Sequence, residues 1–138
     1  MPEAMTGIDI RVASNAPERS AQVVARHFGI EADCVAAWND ADLLCAAIGR
    51  ARSGWVGWHP AEEGAYPSLV SVNWLPHHRP APGGNSFGDL LPVLQAIRDE
   101  LGVDIAVPDE RQPAPMALLA FRGNGVTDEQ TDGRDGMA

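Results

Sequence analysis

Between Trp55 and Leu75 the chain carries two extended apolar runs, Trp55-Val-Gly-Trp58 and Leu69-Val-Ser-Val-Asn-Trp-Leu75, parted only by His59–Pro67. So short a connection cannot return a parallel strand, so the two runs predict an antiparallel hairpin. In the second run Val70, Val72 and Trp74 share one face, and Leu69, Ser71, Asn73 and Leu75 share the more polar other. The buried face must pack against a further layer, and the helical runs before and after the hairpin supply one, which makes the arrangement α+β.

The rest of the pattern fits around this hairpin. Ile8 to Ala13 alternates with period two, with Ile8, Ile10 and Val12 on one face. Asn15-Ala-Pro-Glu18 is expected to open a first helix with Asn15 as cap and Val23, Val24, His27 and Phe28 inward, ended by Gly29. Cys34 to Trp38 reads as a short second strand. Asn39-Asp-Ala-Asp42 repeats the capping pattern before a helix expected to bury Leu43, Leu44, Ala47, Ile48 and Ala51. Both Cys34 and Cys45 read as small core residues.

After the hairpin, Pro76–Gly88 is a Pro/Gly surface loop. Ser86-Phe-Gly-Asp89 is expected to start a third helix closed by Gly102, with Ser86 as its cap, or with Gly88 or Asp89 as the cap if Pro92 lies within the first turn. Val103–Val107 and Met116–Phe121 are the last strands. Met116-Ala-Leu-Leu-Ala-Phe121 does not alternate, which predicts a central strand buried on both faces. The expected order is β-α-β-α-β-β-α-β-β: one α+β domain over residues 1–122, with three helices and a mixed, mostly antiparallel sheet of five to six strands. Residues 123–138 lose their apolar content and read as an acidic disordered tail.

Charge narrows the partners. Ten basic residues, all Arg, face nineteen acidic ones, for a formal charge of -9. Such a surface repels nucleic acid and anionic membranes and favours a basic protein. The chain shows neither a signal-peptide pattern nor an apolar stretch approaching a bilayer span, so a cytoplasmic protein is expected.

Motifs for chemistry are weak. Gly84-Asn-Ser-Phe-Gly88 matches G-x-S-x-G, but a Pro/Gly loop leads into it where a strand is needed, and all four His precede Ser86. His27, His59, His77 and His78 lack metal-site spacing. Neither a Walker loop nor a dinucleotide fingerprint occurs. Adjacent acids such as Glu62-Glu63, Asp99-Glu100 and Asp109-Glu110 diverge on a strand or helix and do not form acid/base pairs. The expectation is therefore no catalytic residue, no metal and no cofactor. Trp55 and Trp58 fall on opposite faces of one strand, so one of them is a candidate interface anchor.

One stretch carries a family likeness. From Leu90 to Phe121 run an amphipathic helix ending Glu-Leu-Gly, then Val-Asp-Ile-Ala-Val-Pro-Asp-Glu, then Met-Ala-Leu-Leu-Ala-Phe. This resembles the C-terminal half of many small bacterial immunity proteins, on pattern over about a quarter of the chain. The resemblance implies a cytoplasmic inhibitor that binds a toxin domain, and basic nuclease toxins would suit the charge. No functional residue carries over from it. Loop charge and aromatic exposure instead suggest Glu62, Glu63, Tyr66, Trp58, Asp109 and Glu110 as partner-binding residues. A small enzyme with dispersed catalytic residues and an adaptor or chaperone are the alternatives. A homodimer is compatible with each.

Overall fold

Ile8, Ile10 and Val12 do share a buried face, and they lie near the middle of the sheet. The computed structural model describes residues 7–61, 64–74, 87–108 and 118–123. In chain order the elements are β1 (Gly7–Val12), α1 (Pro17–His27), a 3-10 turn (Ala32–Cys34), β2 (Val35–Ala37), α2 (Ala41–Arg50) and β3 (Gly54–Pro60). They continue with β4 (Ser68–Trp74), α3 (Phe87–Leu101), β5 (Ile105–Pro108) and β6 (Leu118–Phe121). The order of helices and strands is the one the sequence pattern predicts.

The strands form a single six-stranded sheet in the order β2-β3-β4-β1-β5-β6. Only β2 and β3 pair in parallel; the other neighbours are antiparallel. The predicted hairpin is β3–β4, with Val56 opposite Val72 and Trp58 opposite Val70. It follows that β1, β2, β3 and β6 run one way, and β4 and β5 the other.

This topology places the helices. From β1 the chain crosses through α1 to the far edge, and from β2 it returns through α2 by one strand. Right-handed crossovers in opposite directions put α1 and α2 on opposite faces. The β4-α3-β5 crossover passes over β1 with reversed strand sense, which returns α3 to the α1 face. The packing agrees, since α1 and α3 touch each other while α2 rests on β2, the 3-10 turn and β3.

The main core lies between the sheet and the α1/α3 layer. It joins Ile10, Val12, Val56, Val70 and Val72 to Val24, Phe28, Leu90, Leu94 and Ile97. Phe28 stacks on Trp74 with ring centroids 6.1 Å apart. Outside this layer α1 and α3 are tied by Glu100, which bonds Arg26 and accepts from the His27 Nε2–H at 2.8 Å. Arg26 foremost, and then His27, hold the Glu100 carboxyl below the usual carboxylate range.

Several expectations give way. The cap of α1 is Ala16, with no side-chain cap bond, and Pro17 is its first residue; Asn15 does not cap it. In α2 it is Asp40, not Asn39, that caps, accepting from the Leu43 N–H at 3.1 Å. Of the residues expected inside α2 only Ala47 is buried; Leu43 is 58% exposed and Ile48 40%. Cys45 is exposed as well, while Cys34 is buried as expected. The cause is topological: α2 crosses back by one strand only, so it lies over the sheet's end, on β2, the 3-10 turn and β3.

The last strand is the other correction. β6 is an edge strand paired only with β5, and Leu118 is 48% exposed, so it is not a central strand. Pro92 lies well inside α3, which begins at Phe87. Ser86, His77, His78 and the loop between Pro76 and Ser86 lie outside the described residues, as does the tail beyond Gly123.

Candidate functional site

The face of the sheet away from α1 and α3 is the open one. Its side chains are Trp55, Gly57 and His59 from β3, Leu69, Ser71 and Asn73 from β4, and Asp9 and Arg11 from β1. Asp9 and Ser71 are directly opposed and bond at 2.7 Å, as polar neighbours on a solvated surface do. Toward β2 the same face turns aromatic.

Trp38 is the first residue after β2, and its N–H donates to the Trp58 carbonyl at 2.7 Å, which prolongs the parallel pairing by one step. Its indole folds over the sheet and stacks on Trp55, with ring centroids 6.0 Å apart and planes 28° from parallel. Gly57 makes room for it. A Cβ at Gly57 would lie 2.6 Å from Trp38 Cε3 and 3.3 Å from Trp55 Cζ3. The stack therefore needs glycine at this strand position for closeness, not for backbone freedom.

Despite the stack, Trp38 remains 47% exposed. Leu43 and Ile48 on α2 expose apolar surface as well, so the β2–α2 segment presents three large apolar side chains within eleven residues. Asp40 and Asp42 follow Trp38 in the chain at the start of α2, where carboxylates suit the helix dipole. Across the strand from Trp55 is Asn73, whose Nδ2 is buried without a hydrogen-bond partner. An aromatic anchor with apolar neighbours and nearby carboxylates is what a protein-docking face offers.

Of the residues chosen from the sequence, Trp58 and Tyr66 are described. Both lie at the hairpin end of the sheet, and both are half-buried. Trp58 shares the face of Val56, opposite Val70, so it is not on the open face. Trp55 is the member of that pair on the open side, as the alternation required. Glu62, Glu63, Asp109 and Glu110 lie outside the described residues. Trp38, Leu43 and Ile48 were absent from the sequence-derived set. The available signal was a Trp just beyond a three-residue strand, level with a glycine of its neighbour.

Among the described residues no group of three His, Cys, Asp or Glu is placed to hold a metal ion, and no helix is long and apolar enough to cross a membrane. What fold and site define together is an α+β domain with one well-packed face and one open, aromatic face. Comparison with protein-family models, curated proteins and solved structures finds no match.

Proposed function

We propose that this chain is a cytoplasmic protein-binding inhibitor of the immunity or antitoxin kind, which neutralises a basic toxin domain by direct contact. The observation that carries this reading is the Trp38–Trp55 stack on the open face, with Trp38 half-exposed and Asp40 and Asp42 following it in the chain. A tryptophan anchor with nearby carboxylates suits a partner that brings an apolar patch ringed by Lys and Arg. The formal charge of -9 adds a long-range attraction for the same partner. The likeness of Leu90–Phe121 to immunity proteins supports the same class.

The test is a tagged pull-down from the native host, washed at low and high salt and read by mass spectrometry, run beside Trp38→Ala and Asp42→Lys. The reading expects a stoichiometric basic protein, retained by the wild type at low salt and weakened at high salt. Trp38→Ala should lose it at either salt concentration, and Asp42→Lys should lower the association rate. The purified partner should be toxic, and its toxicity should cease on binding. A retained protein that is acidic, or one held equally by Trp38→Ala, would remove this reading.

A further inference from the structure

A second feature lies away from the docking face, along the flank of α1. There the outward side of α1 and the turn leading to β2 enclose a cleft of about 540 Å³, lined by Arg19, Gln22, Val23, Arg26, Ile30 and Glu31. Its volume falls in the range of small-ligand sites, roughly 300–1,000 Å³. The floor is apolar: Val23 and Ile30 are each 7% exposed, and Ile30 belongs to the main core.

The polar groups of the rim differ in how far they are committed. Arg26 is occupied by Glu100. Glu31 turns toward Arg52, 3.9 Å away on the side of an adjoining, smaller recess. Arg19 makes no ion pair or hydrogen bond among the described residues, and neither does the Gln22 carboxamide. Arg19, Gln22 and Val23 are successive members of one helical stripe, so a free guanidinium and a free amide stand directly above an apolar floor.

We propose that this cleft binds an amphipathic carboxylate, its apolar body on Val23 and Ile30 and its carboxylate on Arg19 and Gln22. Arg19 supplies the planar fork that matches a carboxylate with two parallel N–H bonds. Gln22 Nε2 supplies one further donor. The overall negative charge works against long-range capture of an anion, so recognition here is short-range and depends on the floor as much as on the charge. The same chemistry is presented by a free aryl or alkyl acid and by the C-terminus of a peptide ending in an apolar residue.

The experiment titrates isotope-labelled full-length protein with four probes and follows backbone amide resonances. The probes are indole-3-acetate, its neutral analogue indole-3-acetamide, a Gly-Gly-Leu peptide with a free C-terminus, and the same peptide amidated. Saturable shifts are expected in the amides between Arg19 and Ala32 with the acids, and binding about tenfold weaker with the amides. Arg19→Gln should weaken the acids by about the same factor and leave the amides unchanged. Arg19 is exposed, so this variant should keep its melting temperature, and Arg19→Lys should recover part of the binding. Tighter binding of the free peptide assigns the site to a C-terminus, and tighter binding of indole-3-acetate assigns it to a free acid. No saturable shift with either acid, shifts centred elsewhere, or acids and amides binding alike would overturn the proposal. The outcome is independent of the docking face, since neither Arg19 nor Gln22 belongs to it.

Discussion

Two tryptophan stacks of almost equal geometry lie on opposite faces of this sheet, and they should differ sharply in what they contribute to stability. Phe28–Trp74 has centroids 6.1 Å apart and Trp38–Trp55 6.0 Å, yet Trp74 is 6% exposed and Trp38 47%. A tryptophan buries roughly 150–250 Å² when fully enclosed, which at about 25 cal/mol per Å² corresponds to roughly 4–6 kcal/mol. Trp74 retains nearly all of that, and its removal also leaves a cavity, so Trp74→Ala should cost at least 3–5 kcal/mol, roughly the range seen for Phe or Trp truncations in cores. Trp38 has about half the buried area and leaves no cavity at the surface. Because extended-chain areas are upper bounds, Trp38→Ala should cost only about 1–2 kcal/mol. Urea unfolding at 25 °C, followed by far-UV circular dichroism, measures both. The unfolding free energies should separate by about 1 kcal/mol or more, and a Trp74→Ala chain that does not fold at all satisfies the same ordering. Equal costs would refute the reasoning. Trp38 would then be a core residue, and its exposure could not be read as surface reserved for a partner.

Other consequences are simpler to check. Glu100→Gln should lower the melting temperature at pH 7. Because the folded carboxyl lies below its unfolded value of about 4.3, the stabilisation is present above that pH and is lost as pH falls through the folded value, so wild type and variant should converge in acid. Asp40→Ala removes the α2 cap and should cost about 1 kcal/mol, with amide hydrogen exchange rising in α2 before the rest of the chain. Titration with an aromatic disulfide should label one thiol quickly in the native protein, Cys45. Cys34, whose thiol is pushed up by burial and then by Asp33, should react only on unfolding. Gly57→Ala should displace the Trp38 indole, seen as altered tryptophan fluorescence, and should abolish partner retention while the fold persists.

Local rules carried the sequence reading as far as such rules reach. Period-two alternation in Ile8–Val12 and Leu69–Trp74 identified both the strands and their buried faces, because side chains on a strand have no other choice. The short link after Trp58 gave the one antiparallel pairing that sequence distance alone can decide. What was not legible was how far each element sits from the sheet's centre. Met116–Phe121 lacks alternation, which reads as burial on both faces. The edge place of Leu118–Phe121 comes from β5 inserting between it and β1, and the β1–β5 pairing joins residues about a hundred apart. Apolar residues at helical spacing in α2 read as a core stripe for a similar reason, since periodicity reports which side could be buried and not whether anything lies beneath it.

That shortfall is also where the docking face comes from. The chain crosses three strands with α1 and then steps back by only one with α2, which places α2 over a three-residue edge strand. A helix in that position buries only Ala47 fully and leaves Leu43 and Ile48 partly exposed. The same step ends β2 early, so Trp38 emerges at the sheet's end with no strand outside it, and Gly57 lets its ring lie back on Trp55. The apolar exposure is thus concentrated where the topology runs out of sheet, not scattered as isolated surface residues would be. An edge strand this short also offers little to an intruding strand: the Val35 N–H already donates to Ala32 and the Ala37 carbonyl already accepts from Asp40. Side chains, and Trp38 above all, are what this edge can present to a partner.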